Sequence, residues 1–121
     1  MSFPSDDLAM KIQTWRLKEL LKWRDYLALL VEAAKEVFGG KAEVYVFGSA
    51  VEGKLTVDSD VDVAIVLNEI PKSGLERARL LNKLWRLMES RGVPWWYPFE
   101  LHLVTKEELS LLRGSKLVKI L

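Results

Sequence analysis

Cysteine is absent from the 121 residues. That removes a disulfide framework, a thiolate zinc site and a cysteine nucleophile. Histidine occurs once, as His102, so a histidine-rich metal centre would need a second chain. Glutamine appears once (Gln13) and asparagine twice (Asn68, Asn82), against 29% charged residues; few amides beside many charges is a composition favoured by organisms that grow hot. No stretch approaches the ~20 consecutive apolar residues of a membrane span. The start, Met-Ser-Phe-Pro-Ser-Asp-Asp, lacks the basic residues and apolar run of a secretory signal. A positive surplus is missing too. Lysine and arginine number 18 and aspartate and glutamate 17, leaving a formal charge of +1, whereas a protein that binds long nucleic acid unaided usually has a basic balance. The composition therefore leads us to expect a cytoplasmic protein that neither enters a membrane nor holds long nucleic acid by itself.

What is present is half hydrophobic residues, enough for the core of one domain of this length. From Leu8 to Phe38 apolar residues recur at helical spacings of three and four. The run is long, so two helices meeting near Lys22 to Asp25 are expected, with N-caps offered by Ser5, Asp6 and Asp7 and a stop at Gly39-Gly40. Glu43 to Phe47 reads as a strand, Gly48 to Asp58 as a loop, and Ser59 to Leu67 as a second strand. A helix opens at Ser73-Gly74 and stops at Gly92 and Pro94. Pro98 to Val104 is a third strand. Thr105-Lys-Glu-Glu108 is a capping box for a last short helix to about Leu112; Gly114 and the tail after it are too short to assign. The order α, β, β, α, β, α predicts a two-layer α/β domain, with the first two strands pairing as an antiparallel hairpin.

The stretch FGSAVEGKLTVDSDVDVAIVL, residues 47–67, carries the chemistry. Side chains alternate along a strand, so Asp60 and Asp62 point to one face, about 7 Å apart, and Val61, Val63 and Ile65 to the other. The valine and isoleucine face is the core face; the carboxylates stand on the open one. Two like charges so placed repel, and a divalent cation relieves them. Magnesium suits such a pair because it takes hard oxygen ligands and keeps positions for water and phosphate. Gly48-Ser49 offers the other half: a bare backbone whose N–H groups approach an anion closely, and a hydroxyl donor. Glu100 and His102 share one face of the third strand, which makes Glu100 a third carboxylate. Three carboxylates on adjacent strands can hold two metals for phosphoryl or nucleotidyl transfer.

Gly48-Ser49, ten residues, then Asp60-Val61-Asp62 resembles the signature of the DNA polymerase β-like nucleotidyltransferase superfamily, and the length and layout resemble its minimal members. The specific match lies in residues 47–67 and 98–104, within a looser one from about 24 to 108. The resemblance implies a mixed sheet with helices packed on one face, and residues 1–121 as a single minimal nucleotidyltransferase domain with 1–38 an N-terminal helical segment. It implies Asp60 and Asp62 as ligands of two magnesium ions, Gly48 and Ser49 as triphosphate contacts helped by Ser59 and Lys54, and Glu100 as the third carboxylate, assisting the metal that activates the acceptor hydroxyl. Three features depart from the pattern. Ala50, Val51 and Glu52 stand where many relatives have arginine or lysine, so Lys54 takes that part. The third acid is glutamate rather than aspartate. No second, substrate-binding domain is expected within these 121 residues, which would leave nowhere to hold a template. Minimal members are often encoded beside a HEPN-domain protein as a toxin–antitoxin pair, and can transfer AMP to a tyrosine of that partner.

Other readings compete at individual residues. Asp58-Ser59-Asp60 alone suits a loop with local hydrogen bonds; a calcium loop is excluded because its glycine and distal glutamate are missing. His102 reads as a structural or substrate-facing residue ahead of a metal ligand. Trp95-Trp96-Tyr97 reads as a core or oligomer contact ahead of a platform for a base or an acceptor. Trp15 and Trp23 share a helix face, as core or as a docking surface. For the whole chain the alternatives to an enzyme are a module that neutralises its partner by docking, and a subunit that senses nucleotide without turnover.

Overall fold

The computed structural model describes residues 4–112 and 116–121; the backbone alone is described for 4–6. Helix α1 spans Pro4–Leu20 and α2 spans Trp23–Phe38. The helix thus begins before the caps expected at Ser5, Asp6 and Asp7. The break between the two helices falls at Leu21–Lys22, close to where the long run was expected to divide. Lys22 has ψ 8°, which turns the backbone out of helical register. Its ammonium reaches Glu19 Oε1 at 2.6 Å, holding the bend.

Strand β1 (Glu43–Phe47) leads into a short helix α3 (Ser49–Glu52), then a turn, then β2 (Val61–Val66). Helix α4 (Gly74–Ser90) follows, capped by the Ser73 hydroxyl accepting from the Glu76 N–H. Strand β3 (Phe99–Val104), helix α5 (Lys106–Ser110) and strand β4 (Leu117–Lys119) complete the described chain. Thr105 Oγ1 accepts from the Glu108 N–H at 3.2 Å, as the capping box requires. Two elements, α3 and β4, lie in stretches assigned no structure from sequence. A four-residue helix and a three-residue edge strand are too short to show a period. Gly114 lies outside the described residues.

The sheet order is β3-β2-β1-β4. The β1–β2 pair is the antiparallel hairpin expected, and β4 joins the outer edge of β1, also antiparallel. β3 pairs with β2 in parallel, with Asp62 opposite Glu100 and Ala64 opposite His102. Parallel neighbours need a crossover, and α4 supplies it. Val44, Val46, Val61, Val63 and Ile65 are fully buried and pack with Leu27, Leu30, Val31 and Ala34 of α2 and Leu84 and Met88 of α4. Burial of such a side chain contributes roughly 1.5–3 kcal/mol, so this valine-rich face fixes the register and sends Asp62 to the opposite one.

The opposite face is open only in part. Asp62, Ala64 and Val66 share it, and Ala64 and Val66 are fully buried. Their neighbours in register are Tyr45 and His102 for Ala64, and Glu43 and Val104 for Val66, so larger side chains on both sides cover the two small ones. The face expected to be open is open at the Asp62–Glu100 end.

Tyr97 ties the approach to β3 back to α1. Its phenol is buried and donates to the Leu20 carbonyl at 2.6 Å, while its ring packs against Tyr26 and Phe99. Burial, with Tyr26, Glu19 and Asp25 nearby, pushes the phenol well above its ordinary pKa, so it stays a donor. Tyr97→Phe leaves the last carbonyl of α1 without a partner and is expected to cost about 1–3 kcal/mol, read as a lower midpoint in urea with an unchanged slope.

Candidate active site

Register across β1, β2 and β3 builds the site. Phe47, Asp62 and Glu100 form one row across the sheet, and Tyr45, Ala64 and His102 the next. Residues opposite each other in a ladder project to the same face, so the row delivers two carboxylates side by side. The imidazole of His102 leans out of its own row toward the first. Its ring centroid is 5.6 Å from that of Phe47, although a whole strand lies between them, and Ala64 is small enough to leave that space. His102 Nε2 ends 3.8 Å from Asp62 Oδ1 and 3.7 Å from Glu100 Oε1. One ligand atom from each of Asp62, Glu100 and His102 falls within 4.8 Å of the other two. The side chains are 25%, 54% and 37% exposed respectively, so the group opens to solvent on the Glu100 side.

Burial pushes the Asp62 carboxyl above its ordinary pKa; Glu100 adds to the rise and Asp60 contributes a little, while His102 opposes it. The site is thus short of positive charge.

Gly48 explains why the row is reachable. Its φ of 75° and ψ of −148° lie in a region essentially reserved for glycine. A Cβ there would stand 2.6 Å from Asp62 Oδ2. The bare Gly48 backbone therefore runs directly against one carboxylate oxygen. Ser49 follows as the first residue of α3, and its carbonyl accepts from the Lys54 N–H at 2.9 Å, closing the turn that carries Lys54 on the surface.

The remaining expected residues are placed differently. β2 begins at Val61, not Ser59, so Asp60 lies just before the strand, exposed. It stands outside the three-residue group. The Ser59 hydroxyl accepts from the Thr56 N–H at 2.8 Å and lies 3.2 Å from the Thr56 hydroxyl, which makes it first of all a brace for this turn. Asp60 borders a cleft of about 530 Å³ lined by Trp15, Arg16, Leu20, Val57, Asp58, Ser59, Asp60, Trp95, Trp96 and Pro98. Trp15 and Trp96 face each other with centroids 5.3 Å apart, and Trp95 is 76% exposed. Trp23, by contrast, is core. Asp60 and Pro98 each stand two residues before a member of the carboxylate row, so the cleft adjoins it at the entry to β2 and β3.

The sequence reading ranks His102 as structural or substrate-facing ahead of a metal ligand; the structure sets its nitrogen beside both carboxylates. The available signal was the spacing Glu100-Leu-His102, which puts both on one strand face.

The family model for the nucleotidyltransferase domain matches residues 27–117, most of the chain and every residue of the row. The chain belongs to the nucleotidyltransferase domain family. It is similar to spectinomycin 9-adenylyltransferase of Staphylococcus aureus, in strains Mu50 and N315 alike, at 34% identity over 88 residues, covering 56% of this chain. The chain spans 33% of the length of those curated relatives. Among solved structures, a candidate nucleotidyltransferase from Sulfolobus solfataricus shares the fold with a TM-score of 0.55 at 20% identity, over 84% of each chain. A second candidate nucleotidyltransferase aligns with a TM-score of 0.52 at 27% identity, over 78% of this chain and 96% of its own. This nucleotidyltransferase domain has the mixed sheet expected of its family. Among the described residues no helix is long and apolar enough to cross a membrane.

Proposed function

We propose that this nucleotidyltransferase domain moves AMP from ATP to an acceptor hydroxyl in a reaction that depends on a divalent cation. The observation that carries this reading is the Asp62–Glu100 pair, adjacent across parallel strands with the Gly48 backbone against Asp62. The adenylyltransferase relatives support adenylate as the group transferred.

The donor chemistry fits a cation: carboxylate oxygens close together, one carboxyl held above its ordinary pKa, and no lysine or arginine ion-paired to Asp62 or Glu100 among the described residues. Asp60, Asp62 and Glu100 would hold magnesium, which supplies positive charge to the phosphate oxygens when bound. Gly48 and Ser49 offer a backbone approach and a hydroxyl to the same phosphates, with the Lys54 ammonium on the surface nearby. Glu100, the most exposed of Asp62, Glu100 and His102, takes the proton of the acceptor hydroxyl in this reading. The acceptor oxygen then bonds to the α-phosphorus as the bond to the β-phosphate oxygen breaks, and pyrophosphate leaves. The tryptophan-lined cleft beside Asp60 receives a flat ring, of the base or of the acceptor. The acceptor we assign to a partner protein, of HEPN type on the family resemblance.

The test is incubation of the purified protein with α-labelled ATP and magnesium, with and without a candidate acceptor. Label on the acceptor with equimolar pyrophosphate supports transfer. ATP that binds but stays intact through prolonged incubation with the acceptor would instead assign the chain a nucleotide-sensing role.

A further inference from the structure

We infer that His102 is itself a ligand, and that Asp62, Glu100 and His102 form a nitrogen–oxygen–oxygen seat preferring a borderline first-row dication, of the manganese and cobalt type, to magnesium. This rests on the cation-dependent reading above and revises it at the Asp62–Glu100 pair, with His102 as a ligand and a borderline dication in place of magnesium. The resemblance to the superfamily implies only carboxylates and magnesium.

Three observations support it. His102 Nε2 is buried and has no hydrogen-bond partner among the described residues. Its separations from Asp62 Oδ1 and Glu100 Oε1, 3.8 and 3.7 Å, are too long for hydrogen bonds. They do suit two ligands of one ion, which at about 2.1 Å each from the metal stand roughly 3–4 Å apart. Finally, the ring is not free to turn aside at no cost, because it packs toward Phe47 over the methyl of Ala64. An unpaired buried nitrogen is costly, and a cation shared with two carboxylates satisfies all three groups together.

The donor set then sets the preference. Magnesium is a hard ion that dehydrates reluctantly and favours oxygen. Imidazole nitrogen suits later first-row ions, whose affinity for a mixed site rises along the series from manganese through cobalt. Replacing the nitrogen by a carboxylate oxygen should bring the site back toward magnesium.

The experiment uses the whole chain without nucleotide. Manganese, cobalt and magnesium chlorides are titrated by calorimetry into the wild type and into His102→Asp and His102→Gln. Pulsed electron paramagnetic resonance on the manganese-loaded wild type reads nitrogen coupling directly, and needs no variant to fold. The expected result is a histidine nitrogen signal in the wild type, and a manganese-to-magnesium affinity ratio that falls about tenfold or more in His102→Asp. A wild-type spectrum without nitrogen coupling, or an affinity ratio unchanged in both variants, would overturn the inference and leave His102 as an ion-pair partner of the carboxylates. The transfer assay separates this from the functional reading. Nitrogen coupling with no transfer under any cation sinks the reading and keeps the seat; transfer with magnesium and no nitrogen coupling does the reverse.

Discussion

Asp62→Asn is expected to lower transfer by about 10³-fold or more, yet to make the cation-free protein more resistant to heat. Both effects come from one carboxylate. Asp62 is half-buried, beside Glu100 and within reach of the Asp60 charge, and its pKa is raised for that reason. The sign follows from linkage. A carboxyl whose folded pKa exceeds its unfolded one binds more protons when folded, so stability falls as pH rises from the ordinary carboxylate range through the folded value. Above that value the ionised Asp62 opposes folding in full. Asparagine keeps the shape and removes the charge. We expect the midpoint of thermal unfolding, measured at neutral pH with chelator present, to rise by about 2–5 °C. The advantage over wild type shrinks as the pH is lowered through the raised folded value, and the charge no longer contributes to it below the ordinary carboxylate range, where Asp62 is protonated in both states. Saturating divalent cation reverses the order, because only the wild type gains from binding. A variant less stable than wild type in chelator would show that Asp62 holds the fold through contacts that these like charges do not outweigh.

Gly48→Ala has the next largest effect, and it acts on stability and site together. The backbone at Gly48 has φ 75° and ψ −148°, a conformation that costs a residue with a Cβ about 1–3 kcal/mol. The added methyl also meets Asp62 Oδ2 at 2.6 Å. Asp62 is anchored in β2 between Val61 and Val63, both fully buried, so the strand does not shift to make room. Its carboxylate must rotate away instead, which takes it out of the row with Glu100. The expected outcome is a destabilised chain that still folds, with cation binding weakened at least tenfold, measured by chemical denaturation and calorimetry on one preparation. Wild-type cation affinity in the folded variant would show that the Gly48 backbone does not control the carboxylate.

Much of this was legible before any coordinates. Val61, Val63 and Ile65 alternate with Asp62 because one sheet face is core, and that alternation fixed the direction of Asp62 independently of strand ends. The partner of Asp62 was harder. Glu100 belongs to a strand reached through a crossover helix, and only the parallel register, set by packing of Phe99 and Leu101 on the core side, brings it opposite. Asp60 was assigned to the strand because period-two patterning has no mark for its first residue; in the structure the ladder opens with the Val61 N–H bonded to the Pro98 carbonyl, and Asp60 stays outside. His102 reads as structural or substrate-facing because nothing local brings its ring to the carboxylates; what does so, the room left by Ala64, concerns a residue on another strand.

The parallel pairing of β2 with β3 also bears on the order in which the chain assembles. The β1–β2 hairpin closes a short loop and can form early, but it carries Asp62 without Glu100 or His102. Those arrive only when β3 pairs alongside β2, a contact across the intervening α4 and so of higher sequence separation than the hairpin. That step is also where like charge is brought to like charge. A chain in which β3 has not yet paired with β2 therefore holds half a site.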